Sequence, residues 1–138
     1  MDQLFEMAIG SDIAEIPEIS ARLDAGMQRY GFRAEDILDT QLAVEEAITN
    51  VIFHGYRKTG GKIGVTCRIS SSRVEVQIAD SAPRFDPLSI PEPELDVSIE
   101  DRKVGGLGFY LIRKVMDGIS YRYENGKNIL VLIKRRIA

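Results

Sequence analysis

The sequence predicts a two-layer α/β sandwich, a mixed and mostly antiparallel sheet covered by helices on one face. Three observations carry that prediction. Two long segments near the N-terminus have helical periodicity, short alternating segments come in pairs joined by turn residues, and glycines open a third helical stretch. The 138 residues, 44% of them hydrophobic, suffice for one domain with a real core, expected to span 1–138.

Residues 3–9 alternate weakly, with Phe5, Met7 and Ile9 on one side, as in an opening strand. Ile13, Ile16, Ile19, Leu23 and Met27 then recur at helical spacing, and Gly31 is a plausible stop after Tyr30. A second helix is expected from about Ala34 to His54, on the spacing of Leu38, Leu42, Val44, Ile48, Val51 and Ile52. Lys62–Ile69 and Arg73–Asp80 each alternate, and Ser70-Ser71-Ser72 between them predicts an antiparallel hairpin. One side of both strands is apolar and the other polar, as in a sheet covered on one face only.

Residues 81–104 break the pattern and hold Pro83, Pro87, Pro91 and Pro93, four of the chain's five prolines. Loops this long inside a compact domain are uncommon and usually functional or mobile. Gly105–Gly108 opens a third helix through about Asp117, and strands over Ile119–Glu124 and Asn128–Arg135 meet at Asn125-Gly126, a strong hairpin signal.

A net charge of −3 argues against direct binding of nucleic acid, which favours a basic field. Lys134-Arg135-Arg136 is a short basic run, read as a solvated strand end. The single cysteine, Cys67, sits in an alternating apolar strand and reads as core filler. The acidic N-terminus lacks a signal-peptide pattern, and no apolar run approaches the ~20 residues of a membrane span. The expectation is a cytoplasmic protein without a membrane contact.

Three polar groupings stand out. On the second helix, Glu46, Asn50 and His54 are spaced i, i+4, i+8. At roughly 100° per residue, Asn50 lies about 40° from Glu46 but about 140° from Glu45, so Glu46 is its partner. A carboxylate and a carboxamide so placed suit a base and an oxygen ligand for a hard cation, although any helix has a polar edge. At a strand end, Asp80 leads into Ser81-Ala82-Pro83-Arg84-Phe85-Asp86-Pro87. Its carboxylate suits an exocyclic amine such as that of adenine, or simply caps a turn. Finally, Gly105-Gly106-Leu107-Gly108-Phe109 puts three glycines in four residues at a helix start, where backbone N–H groups can approach phosphate. No GxxxxGK[ST] is present, so this is not a Walker-type loop.

The order of these pieces resembles the N, G1 and G2 boxes of the GHKL superfamily, whose ATP-binding domain has the Bergerat fold, and the likeness covers nearly the whole chain. Within it, Glu46-Ala47-Ile48-Thr49-Asn50 with His54-Gly55-Tyr56, and Gly105-Gly106-Leu107-Gly108, look most like the anti-sigma serine/threonine kinases. The resemblance implies that Glu46 is the general base and that Asn50 holds Mg²⁺ alongside ATP. It implies further that Asp80 reads the adenine amino group, with Phe85 and Asp86 near the base or sugar. Gly105, Gly106, Leu107, Gly108 and Phe109 would wrap the phosphates, and His54 would shape the phosphate side. Residues 81–104 would be the ATP lid, and Arg102 or Lys103 would reach the γ-phosphate. The G1 box departs from the family's Asp-x-Gly, reading Asp80-Ser81-Ala82.

The resemblance also implies a kinase that phosphorylates a STAS-domain anti-anti-sigma protein and sequesters a sigma factor, as a homodimer. The alternative is a partner-switch binding module that holds ATP, or no nucleotide, and transfers nothing. Intact Glu46 favours the first, and Ala82 leaves room for the second.

Overall fold

The computed structural model describes residues 3–10, 13–56, 60–89 and 106–137. The strands are β1 (Gln3–Ile9), β2 (Ile63–Ile69), β3 (Arg73–Asp80), β4 (Gly118–Glu124) and β5 (Lys127–Arg135), and the helices are α1 (Ile16–Arg29), α2 (Ala34–Asn50) and α3 (Gly106–Val115). The sheet order is β1-β2-β3-β5-β4, with every pairing antiparallel.

Alternation decides which side of the sheet meets the helices. Ile63, Val65, Cys67 and Ile69 of β2, with Val74, Val76 and Ile78 of β3, are all buried and point to the helical layer. Leu130 and Leu132 continue that face across β5. The other face keeps Arg68, Arg73 and Arg135 exposed, as expected for a sheet covered on one side, while β5 also buries Ile129 and Val131 there. Cys67 is core filler, and burial pushes its thiol up to about 12, so it carries no thiolate at neutral pH.

α1 buries Ile16, Ile19, Leu23 and Met27 along one stripe. Gly26 lets it close on the sheet, because a Cβ there would lie 2.5 Å from Ile69 Cδ1. Gly31, at φ +83°, ends the helix: its N–H donates to Gln28 and that of Phe32 to Met27, the Schellman pattern. The Ser70–Arg73 turn closes the first hairpin, and Asn125 and Gly126, both at positive φ, close the second.

α2 departs from the expected pattern. Leu38 is 65% exposed and Leu42 36%, while Ile37, Thr40, Ala43, Val44, Ala47 and Ile48 are buried. The reason is position: α2 packs against both α1 and α3, so its buried stripe includes small residues that let neighbours approach, and the leucines fall outside it. The α-helical hydrogen bonding also stops at Asn50, and a wider π-type turn runs over Val51–Tyr56 where one continuous helix to His54 was expected.

The basic run at the C-terminus is corrected in the same way. Lys134 is buried, not solvated, because it lies on the helix-facing side of β5 beside Leu132. Its Nζ donates to Asp39 at 3.2 Å and to the carbonyl of Val115 at 2.5 Å, and lies 3.9 Å from Asp36. One ammonium thus joins α2, the end of α3 and β5. Lys134→Ala removes the cation shared by Asp39 and the buried Asp36, leaving Asp36 with Arg33 at 3.4 Å, and is expected to cost about 3 kcal/mol in urea unfolding.

Candidate functional site

A cavity of about 650 Å³ opens where the C-terminal end of α2, the end of β3 and the start of α3 converge. That volume suits a small organic ligand. Ala47, Asn50, Val51, His54 and Gly55 form one wall, at i, i+3, i+4, i+7 and i+8 along α2 and its π turn. Asn50 is half-buried there, and His54 is exposed at the rim. Glu46 is half-buried one turn before Asn50 and is not itself a wall residue.

The opposite wall begins at Asp80, the last residue of β3, which is 6% exposed. Its Oδ1 accepts from the Ala82 N–H and from Asn128 Nδ2, each at 3.0 Å. Burial pushes this carboxyl above the ordinary carboxylate range, while the Asn128 and Ala82 bonds pull it back. Its other oxygen, Oδ2, accepts from none of the described residues, so the side chain keeps one acceptor for a ligand.

The Asp80-Ser81-Ala82 departure has a local explanation. Ala82 is 4% exposed, and a Cβ on Gly55 would lie 3.0 Å from its methyl carbon. The glycine opposite therefore makes room for the alanine, whose methyl borders the cavity without filling it. Tyr56 braces the same corner: its hydroxyl donates to the Lys62 carbonyl at 2.7 Å and accepts from the Ser81 N–H at 2.8 Å. Its ring lies over Gly61, where any Cβ would collide with it.

Phe85, 55% exposed, reaches the cavity mouth. Asp86 does not line the cavity; its Oδ1 accepts from the Leu88 N–H at 2.9 Å and its carbonyl from Ser89, so it shapes a 3₁₀ turn over Pro87–Ser89. Phe109 of α3 is buried against the cavity, and Arg113 one turn on sits over its ring and donates to the Leu88 carbonyl. Gly106, Leu107 and Gly108 form the first turn of α3, whose backbone N–H groups have no intrahelical partners and whose dipole favours an anion. Gly105, Arg102 and Lys103, and the part of the expected lid from 90 to 104, lie outside the described residues.

Among the described residues no three His, Cys, Asp or Glu side chains gather as a metal cage. A hard cation at this site would have Asn50 as its protein oxygen and would take the rest of its shell from a bound ligand and water.

Sequence reasoning missed Tyr56, Arg84, Tyr121 and Asn128, all of which line the cavity. Asn128 makes the most contacts. Its Nδ2 donates to Asp80 Oδ1 and to the carbonyls of Ala82 and Pro83, and its Oδ1 accepts from the Phe85 N–H and the Tyr121 hydroxyl. One signal was present: Asn128 is a polar residue in phase with Leu130 and Leu132 on an otherwise apolar strand.

The sequence from 9 to 134 matches the model of the histidine kinase-like ATPase domain. Serine-protein kinases RsbW of Bacillus thuringiensis (strain Al Hakam) and Bacillus anthracis are each 30% identical to this chain over 135 residues, covering 91% of it and 81% of the relative. The fold is shared with a crystal structure of the RsbU and RsbW domains of a Mycobacterium tuberculosis protein. That match has a TM-score of 0.68 at 16% identity and covers 97% of this chain but 32% of the longer one. Among the described residues no helix is long and apolar enough to cross a membrane. With a cavity walled by the Asn50 helix and the Asp80 strand end, in a fold shared with an RsbW domain, the chain belongs to the histidine kinase-like ATPase family and, within it, to the RsbW serine-protein kinases.

Proposed function

We propose that this protein is a Mg-ATP-dependent serine/threonine kinase that acts as an anti-sigma factor. Its substrate is a STAS-domain anti-anti-sigma protein, and it works as a cytoplasmic homodimer that holds a sigma factor when that substrate is modified or absent. The observation that carries the reading is the convergence of Asn50, the single-acceptor carboxylate of Asp80 and Phe109 at the start of α3 on one cavity. The serine-protein kinase relatives supply the reaction class.

In this reading the adenine amino group donates to Asp80 Oδ2 and the base lies beside Phe85. The phosphates run toward the N-terminus of α3, where unpaired N–H groups and the helix dipole favour negative charge. Magnesium, when bound, neutralises phosphate charge, with Asn50 as its protein ligand. Glu46 takes the proton of a serine or threonine hydroxyl as its oxygen bonds to the γ-phosphorus. The bond between that phosphorus and the β–γ bridging oxygen breaks, and ADP leaves.

The deciding experiment is calorimetric titration of ATP into the purified protein, with and without Mg²⁺, alongside Asn50→Ala. The expected outcome is binding that magnesium strengthens, with Asn50→Ala losing roughly tenfold or more of the magnesium-dependent part. No heat at millimolar-scale ATP would sink the kinase reading and leave a nucleotide-free binding module.

A further inference from the structure

We propose that Asn128 is the positioning residue of the nucleotide site: its amide orients Asp80 so that a single oxygen is left for the base, and it fastens the 82–85 loop around that carboxylate. The inference rests on the reading of Asp80 as the base-recognising group. It adds a residue from the far end of the chain, brought opposite Asp80 by the β3–β5 register.

The geometry of Asn128 leaves little freedom. It is 7% exposed, and all five of its hydrogen bonds fit one amide orientation. Three acceptors face its nitrogen, namely Asp80 Oδ1 at 3.0 Å, the Ala82 carbonyl at 3.0 Å and the Pro83 carbonyl at 3.2 Å. Two donors face its oxygen, the Phe85 N–H at 3.0 Å and the Tyr121 hydroxyl at 2.6 Å. Turning the amide over would set an oxygen against three acceptors, so the network specifies both the orientation and the chemistry of this position.

The consequence for Asp80 is specific. Because Oδ1 already accepts two N–H bonds, a proton on this carboxyl goes to Oδ2. Ionised, Oδ2 accepts from a 6-amino purine; protonated, it becomes a donor and the match to an amino group is lost. The Asn128 bond favours the ionised form against the burial that disfavours it. Asn128 thus acts on the base without touching it, by keeping Asp80 turned and charged.

The test is the affinity for ADP, without magnesium, as a function of pH in wild type, Asn128→Ala and Asn128→Asp, with folding followed by circular dichroism. The other ionisable groups lining the cavity are His54 and Tyr56 at the end of α2, Arg84 on the loop and Tyr121 on β4. They, like the ligand's phosphates, are common to every profile. Asn128→Ala is expected to bind roughly tenfold to a hundredfold more weakly at neutral pH, with its acid limb moved to higher pH. Asn128→Asp, which sets a second carboxylate against Asp80, is expected to move that limb further.

Weakening by the same factor at every pH, with the limb unmoved, would reduce Asn128 to a structural role and overturn the proposal. Should both variants fail to fold, Tyr121→Phe removes one donor from the Asn128 oxygen without opening a large cavity, and an unmoved limb there overturns it equally. Asp80→Asn separates the two readings. If it binds ADP as wild type does, the role of Asp80 is wrong; if it loses binding while the Asn128 limbs stay put, only the role of Asn128 is wrong.

Discussion

Glu46→Gln is expected to bind Mg-ATP as wild type does and to lose phosphotransfer by roughly 10²-fold or more, the ordinary worth of a general base. The substitution keeps the size and polarity of a half-buried side chain on α2 and removes only its ability to take a proton. Glu46 sits outside the cavity wall, one turn from Asn50, so binding and chemistry are expected to separate cleanly at this position. The measurement is a phosphotransfer assay on the phosphoacceptor protein with calorimetry on the same preparation. Undiminished transfer would remove Glu46 from the mechanism.

Asp80→Asn is expected to do the opposite, weakening nucleotide binding by roughly 10²-fold or more while leaving the protein at least as stable at neutral pH. Asparagine can still accept the Ala82 and Asn128 bonds through its own oxygen, so the corner of the sheet is kept. Its amide nitrogen would then stand where Oδ2 stood, donor against donor for an amino purine. The stability half is a matter of linkage. The folded pKa of Asp80 lies above its ordinary value of 3.8, so the folded state binds this proton more tightly than the unfolded chain does. Its contribution to stability is fully present below that ordinary value and is lost as pH rises through the folded value. At neutral pH the charged carboxylate therefore opposes folding, and removing the charge relieves that. Urea unfolding across the acid range checks it: wild type is expected to lose ground to Asp80→Asn as pH rises. A variant much less stable at neutral pH would mean that the carboxylate holds the corner together.

The two halves of the site were legible to different degrees. Glu46 and Asn50 fall on one α-helix, and a local angle of rotation relates them wherever that helix ends up, whereas His54 lies on the π turn beyond it. Asp80 was legible because a strand that alternates cleanly announces its own last residue. Asp86 shared the same stretch and was assigned to the ligand; it lies outside the cavity wall, and one of its carboxylate oxygens accepts from the Leu88 N–H. A turn-capping aspartate and a ligand-binding one have the same sequence context, and only the hydrogen-bond partner separates them. Asn128, forty-eight residues from the carboxylate it holds, showed only as a polar residue in phase with Leu130 and Leu132, and its partner was not legible for a different reason. Register between β3 and β5 is a long-range property, and nothing local to either strand states it.

The sequence by itself determined the order of the elements, the apolar helix-facing side of the sheet and the family. Those depend on periodicity, turn chemistry and motif order, all written within short windows of chain. Tertiary structure alone decided which apolar residues are core, turning Leu38 and Leu42 outward and Lys134 inward, because burial depends on what packs alongside. It also decided the occupants of the cavity wall beyond the motifs, and the pairing of Ala82 with Gly55 that accommodates the altered G1 box. Those contacts join segments that the chain brings together only by folding, so no window of sequence contains both partners.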